Sequence, residues 1–249
     1  MGFWPVVLNV LRNSDVILLL VDARMPEISQ NSEIINKVEN MKGKRLIVVF
    51  NKSDLINRKE IDVLKKEYPR ALFVSAAKKI GVGNLKSTIK NMADNWGRDS
   101  LRVGVVGYPN IGKSTLINLL APKANAKVSS VSGTTKETQW IRVGNIRYLD
   151  SPGVIPFGDK KTKLGLTASK NPHKIRNPEK VAIDTIEFLM AKKPGTLEKY
   201  YNASGDTSYE LLESIGKAKG FLVKGGKIDE NRTAIKIIDD WQKGKISLK

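Results

Sequence analysis

Gly107-Tyr-Pro-Asn-Ile-Gly-Lys-Ser114 is the stretch on which the reading of this chain turns. It meets the pattern G-x-x-x-x-G-K-[ST] at every fixed position. Just before it, Leu101-Arg-Val-Gly-Val-Val106 is a short apolar run that predicts a buried strand. After it, Ser114-Thr-Leu-Ile-Asn-Leu-Leu120 opens a helix. A loop in that setting turns successive backbone N–H groups inward, where they hydrogen-bond phosphate oxygens. Gly107 and Gly112 permit the turn and the close backbone approach. Asn110, Ile111 and Thr115 complete the cradle. Lys113 places a cation against the terminal phosphates, and the Ser114 hydroxyl can ligate Mg²⁺. The alternative is a glycine-containing turn with a solvated lysine, which eight positions in the right setting disfavour.

Composition narrows the classes. Hydrophobic residues are 41% of the 249, enough for a packed core and too many for a disordered chain. There is no cysteine, which excludes disulfides, thiolate–zinc sites and thiol catalysis and suits a reducing, cytoplasmic setting. The apolar run at 16–21 is too short to cross a bilayer, and no cleavable-signal pattern precedes it. The net charge of +18 favours a polyanionic partner. The excess persists along the chain: 24 basic against 13 acidic residues up to 153, and 19 against 12 after it.

Periodicity predicts helices at 4–12, 31–41, 60–67 and 84–95 and strands at 16–22, 46–50 and 71–74. Residues 139–143 and 146–149 read as a hairpin joined at Gly144-Asn145. Strands alternating with helices imply an α/β fold with a mostly parallel sheet covered on both faces. Residues 156–176 carry six Lys or Arg against only Asp159 and read as a mobile basic loop. Helical patterns follow at 179–192, 208–219 and 231–242. The expected division is therefore a nucleotide domain at 1–176 and a small, basic helical domain at 177–249.

Asn51-Lys-Ser-Asp54 directly follows a buried strand and has the form N-K-x-D used by guanine-specific proteins. The Asp54 carboxylate can only accept, so it can take the N1–H and amino protons of guanine, a pattern adenine does not offer. Asn51 can tie the base site to the phosphate loop, and the Lys52 stem can lie over the base, with Ser53 standing between Lys52 and Asp54. Ser75-Ala76-Ala77 follows the next strand, and its N–H groups can reach the guanine carbonyl oxygen. Asp150-Ser-Pro-Gly153 ends a strand; in phosphoryl-transfer sites such an Asp holds Mg²⁺ and such a Gly offers its N–H to the γ-phosphate. Gly133-Thr134-Thr135 supplies a switch threonine for Mg²⁺ and the γ-phosphate, with Thr135 the first choice and Thr134 the fallback.

These elements resemble those of a Ras-like GTPase in rotated order, with the base-reading motif ahead of the phosphate loop. That order is the hallmark of the circularly permuted GTPases. Asp22-Ala-Arg-Met-Pro26 is similar to the D-A-R-x-P signature of the YlqF/YawG branch. Residues 220–229, Asp240-Trp241 and Gly244-Lys-Ile246 are similar to its C-terminal region. The resemblance implies a Ras-like P-loop G domain that hydrolyses GTP to GDP, binds ribosomal RNA and acts in assembly of the large ribosomal subunit. It implies catalytic roles for Lys113 and Thr135 and, by similarity, a potassium ion held at Asn110. Val154 stands where Ras-type enzymes place a water-orienting glutamine, so slow hydrolysis, stimulated from outside this motif, is expected. His173, the only histidine, is read as solvated or RNA-facing. A monomer is expected, with no membrane and no DNA as partners. The competing reading is a nucleotide-gated RNA-binding module with negligible hydrolysis of its own.

Overall fold

The computed structural model describes residues 4–97, 99–122, 139–150 and 171–249, leaving aside the side chains of Gln139 and Asp150. The chain falls into two compact units, Met1–Gly158 and Asp159–Lys249.

The first unit is built on a six-stranded sheet. Its strands are β1 (Val16–Asp22), β2 (Arg45–Asn51), β3 (Leu72–Phe73), β4 (Leu101–Val106), β5 (Gln139–Val143) and β6 (Ile146–Asp150). They lie in the order β3-β2-β1-β4-β6-β5. Every pairing is parallel except β5 with β6. β1 is buried at all seven positions, as a central strand covered on both faces must be, and reads as an unbroken apolar run. The β5–β6 loop is the expected two residues, with Val143 paired to Ile146 and Gly144 at φ +58°. A positive φ at the first central residue suits the type II′ hairpin turn.

The helices of this unit are α1 (Trp4–Asn13), α2 (Pro26–Ser29), α3 (Ser32–Glu39), α4 (Arg58–Glu67), α5 (Val82–Asp94) and α6 (Lys113–Leu120). Local chemistry sets their starts. Asn31 caps α3 by accepting from the Ile34 N–H. Asn57 and Glu60 close a capping box on α4, so Glu60 lies in the first turn rather than opening the helix. The strand expected at 71–74 shrinks to two residues. Beyond Phe73 the chain turns inward: the Ser75 N–H goes to the Ile80 carbonyl and the Ile80 N–H returns to Ser75. The core packs Leu18, Leu20, Val103 and Val105 of the sheet against Leu85 and Ile89 of α5 and Leu116 of α6.

The second unit is helical: α7 (Pro178–Lys192), α8 (Thr196–Tyr201), α9 (Ser208–Ala218) and α10 (Glu230–Gln242). α7 packs mainly on α10. Gly216 lets α9 approach α10 closely, because a Cβ there would lie 2.9 Å from Thr233 Oγ1. Asp240, fully buried on α10, accepts from Tyr201 Oη at 3.0 Å and pairs with Lys236 and Lys245 at 2.8 and 3.0 Å. Of the basic stretch expected to be a mobile loop, residues 172–174 form a 3₁₀ turn that packs against α10 with Pro172 buried. Residues 156–170 lie outside the described residues. Residues 221–228 form a small hairpin, with Leu222 bridged to Ile228.

Candidate nucleotide site

The motif residues gather at one edge of the sheet. β1, β2, β3, β4 and β6 run parallel, so the loops after them all leave from their C-terminal ends. The chain leaves β1 toward β2 and β3, then crosses to β4 on the other side of β1. That reversal is a topological switch point, where open α/β sheets bind ligands.

The phosphate loop leaves β4 at this point. Gly107 takes φ +147°, and a Cβ there would lie 2.8 Å from the Leu20 carbonyl oxygen. Gly112 takes φ +100°, and its Cβ would meet Asn51 Nδ2 at 2.3 Å. Asn110 sits in the left-handed region at φ +54°. Lys113 is buried, and its ammonium donates to the carbonyls of Gly107 at 3.0 Å and Tyr108 at 2.7 Å. The loop thus curls around its own cation, which is held over the bend. Ser114 and Thr115 occupy the first turn of α6 and are half-buried.

The base-reading loop leaves β2. Lys52 adopts φ +61° and starts a 3₁₀ turn, Ser53–Leu55, that carries Asp54 half-buried. The Ser53 N–H donates to the Val74 carbonyl at 3.1 Å. Asn51, buried, connects three loops. Its Nδ2 donates to the Ile111 carbonyl at 2.7 Å, and its Oδ1 accepts from the Ala76 N–H at 2.9 Å. Of the three N–H groups expected to reach a guanine carbonyl, that of Ser75 goes to Ile80 and that of Ala76 to Asn51. The exposed Ala77 is the remaining member.

A buried charge cluster flanks this loop. Asp22, at the end of β1, accepts from Arg24 at both carboxylate oxygens, Nε at 3.0 Å and Nη2 at 2.9 Å. Lys52 Nζ lies 3.0 Å from the same carboxylate. Burial alone would raise the Asp22 pKa, but the Arg24 and Lys52 charges and their hydrogen bonds outweigh it and hold the carboxyl far below its ordinary range. Burial and the Arg24 charge push the Lys52 ammonium down, against the pull of Asp22 and Asp54. The functional reading of the sequence did not use Asp22 or Arg24. Two ionisable residues closing a wholly apolar strand were the available signal, since buried charges must be paired.

Asp150 ends β6 as the register partner of Val105, so its strand stops beside the start of the phosphate loop. Its side chain, together with Thr134, Thr135 and Gly153, lies outside the described residues. For Mg²⁺, the half-buried Ser114 hydroxyl in the first turn of α6 is a donor of the right chemistry among the described residues. Few protein ligands are what Mg²⁺ takes when phosphates and water complete its shell.

The fold and the loop order define a class: a P-loop G domain whose base-reading loop precedes its phosphate loop, that is, a circularly permuted GTPase. Comparison with known proteins bears this out. Residues 102–223 match the family described as 50S ribosome-binding GTPase, and residues 7–159 match RsgA GTPase. An uncharacterized GTP-binding protein of Methanocaldococcus jannaschii is 36% identical over 97% of this chain and 65% of its own length. Ribosome biogenesis GTPase A of Priestia megaterium is 32% identical over 96% of this chain and 89% of that protein. A GDP-bound structure of YlqF superposes with a TM-score of 0.68 at 22% identity, covering 97% of this chain and 95% of that one. The chain belongs to the YlqF-type family of circularly permuted GTPases. It spans 65% of the archaeal relative and 52% of nucleolar GTP-binding protein 2 from Pneumocystis carinii, which it also matches.

Proposed function

We propose that this protein binds GTP and GDP with Mg²⁺, hydrolyses GTP slowly, and acts as a nucleotide switch in large-subunit ribosome assembly. The observation that carries the reading is the pair of Asn51 hydrogen bonds. One buried amide ties the phosphate loop to the loop after β3, which supports reading the base and phosphate subsites as parts of one site. Asp54 accepts from the guanine edge, and Ala77 offers its N–H to the carbonyl oxygen. Lys113 swings from the loop carbonyls to the terminal phosphates, exchanging neutral acceptors for charged ones. Ser114, Asp150 and Thr135 would hold Mg²⁺, which would supply neutralisation of the phosphate charge. Thr135 and Gly153 are assigned to the γ-phosphate, and Asn110 would provide a ligand for K⁺.

The basic helical unit is the ribosomal-RNA contact. Its partner is the large-subunit precursor, a reading supported by the match to the 50S ribosome-binding GTPase family and by the likeness to ribosome biogenesis GTPase A of Priestia megaterium. Among the described residues, no helix is long and apolar enough to cross a membrane. A cytoplasmic monomer is the proposed working form. GTP turnover measured with and without large ribosomal subunits tests the enzymatic reading: strong stimulation supports it. Negligible turnover in both, with RNA binding that depends on nucleotide, supports the gated RNA-binding module instead.

A further inference from the structure

Asp22 and Arg24 belong to a family signature but have no part in the site as assigned above. Their geometry gives them one. Asp22 is the register partner of Asn51, so Lys52 leaves β2 directly beside the Asp22 carboxylate. Lys52 adopts a left-handed backbone, unfavourable for a residue with a Cβ, and its side chain is only 16% exposed. Its ammonium lies 3.0 Å from Asp22 Oδ2. Arg24 forks onto the same carboxylate through Nε and Nη2, and its backbone N–H donates to Oδ1 at 3.1 Å. A planar fork fixes the plane of a carboxylate. The Asp22 backbone is fixed as well, its N–H donating to Ser29 Oγ at 2.9 Å while that hydroxyl donates to the Met25 carbonyl at 2.8 Å.

A buried ion pair alone is weak evidence of a stabilising role, because an apolar pair of similar volume often serves as well. Here the pair also draws in a third charge, from the base-reading loop. We propose that Asp22, oriented by Arg24, is a positioning residue for Lys52: it anchors the ammonium so that the lysine stem is held in place as a platform for the guanine base. This rests on the guanine-nucleotide reading of the site.

The test is a double-mutant cycle on GDP affinity in the full chain, by calorimetry, with melting of each nucleotide-free variant recorded. Wild type that binds GDP no better than ADP would remove the nucleotide reading, and this inference with it. Given selective GDP binding, Lys52→Met is expected to weaken GDP binding about tenfold, with a nearly unchanged nucleotide-free melting temperature. Asp22→Asn/Arg24→Met removes both buried charges together and is expected to lose a similar factor, about tenfold. The triple variant should be within about twofold of Lys52→Met, since coupled residues do not add. Wild-type GDP affinity in the Asp22→Asn/Arg24→Met protein overturns the proposal, and so do losses that multiply to about a hundredfold in the triple variant. If the Asp22→Asn/Arg24→Met protein does not fold, Arg24→Lys keeps every charge but cannot fork. It should bind GDP about threefold more weakly, and this loss should vanish in the Lys52→Met background. Wild-type affinity for Arg24→Lys, or a loss that persists without Lys52, overturns it.

Discussion

Asn51 donates its side-chain amide to the carbonyl of Ile111 at 2.7 Å, sixty positions further along the chain. The same amide accepts from the Ala76 N–H. Replacement by alanine leaves two buried backbone groups without partners and unties the two loops. Asn51→Ala is expected to cost about 1–3 kcal/mol of stability. Nucleotide affinity should fall at least about tenfold, because the base and phosphate subsites then no longer share one geometry. Calorimetric GDP titration and thermal melting check the two effects. Unchanged GDP affinity in a destabilised protein would mean that the bridge is only a fold contact.

Gly112 is constrained twice, by φ +100° and by Asn51 Nδ2 at 2.3 Å from the position of an added Cβ. Relief requires either moving the loop or breaking the Asn51 bond. Gly112→Ala is therefore expected to destabilise the protein by about 1–3 kcal/mol and to abolish measurable GDP binding. Gly43, with φ +75° and open space around it, is the control. Gly43→Ala carries only the backbone strain and should keep GDP affinity; if the two alanine variants bind GDP equally well, the crowding at Gly112 is unimportant.

Much of this arrangement was legible because burial writes itself into composition. β1, β2 and β4 are central parallel strands, so they appear as apolar runs that no surface element shows. The phosphate loop and N-K-x-D stand out because their chemistry is local: each needs particular residues at adjacent positions. What stayed hidden depends on contacts across strands or on very short elements. The Asp22–Arg24–Lys52 cluster joins the ends of two strands and the loops leaving them through a register that no local pattern encodes. α2 and α8, of four and six residues, are too short to show a period. The hydrogen bond from the Ala76 N–H to Asn51 Oδ1 is likewise a contact between loops that no local pattern encodes.

Asp240 is a buried carboxylate whose pairing makes a contribution to the stability of the second unit that depends on pH. Burial pushes its carboxyl up, but hydrogen bonds from Lys236, Lys245 and Tyr201 pull it below the ordinary value of 3.8. A carboxyl lowered by folding contributes stability that is fully present above its unfolded pKa and is lost as pH falls through the folded value. Asp240→Asn should therefore lose about 1–3 kcal/mol at pH 7, and the gap to wild type should narrow below pH 3.8. Hydrogen exchange of the α10 amides at pH 7 and at pH 3 reads this out. A gap of equal size at both values contradicts the assignment.

Asn110 occupies the left-handed region within the phosphate loop. If it ligates K⁺, GTP turnover should be faster in K⁺ than in Na⁺ at equal ionic strength. Asn110→Ala should remove that difference. Identical rates in the two salts for wild type would rule out the potassium role.

The proposed function assigns guanine selectivity to Asp54 and phosphate binding to Lys113. Titrating GDP against ADP in wild type and in Asp54→Asn is the most direct test that these two residues serve one site. The expected result is one GDP per chain, ADP at least about a hundredfold weaker, and that preference relaxed by Asp54→Asn. ADP competing on equal terms in wild type, or unchanged selectivity in Asp54→Asn, would contradict a single guanine-nucleotide site.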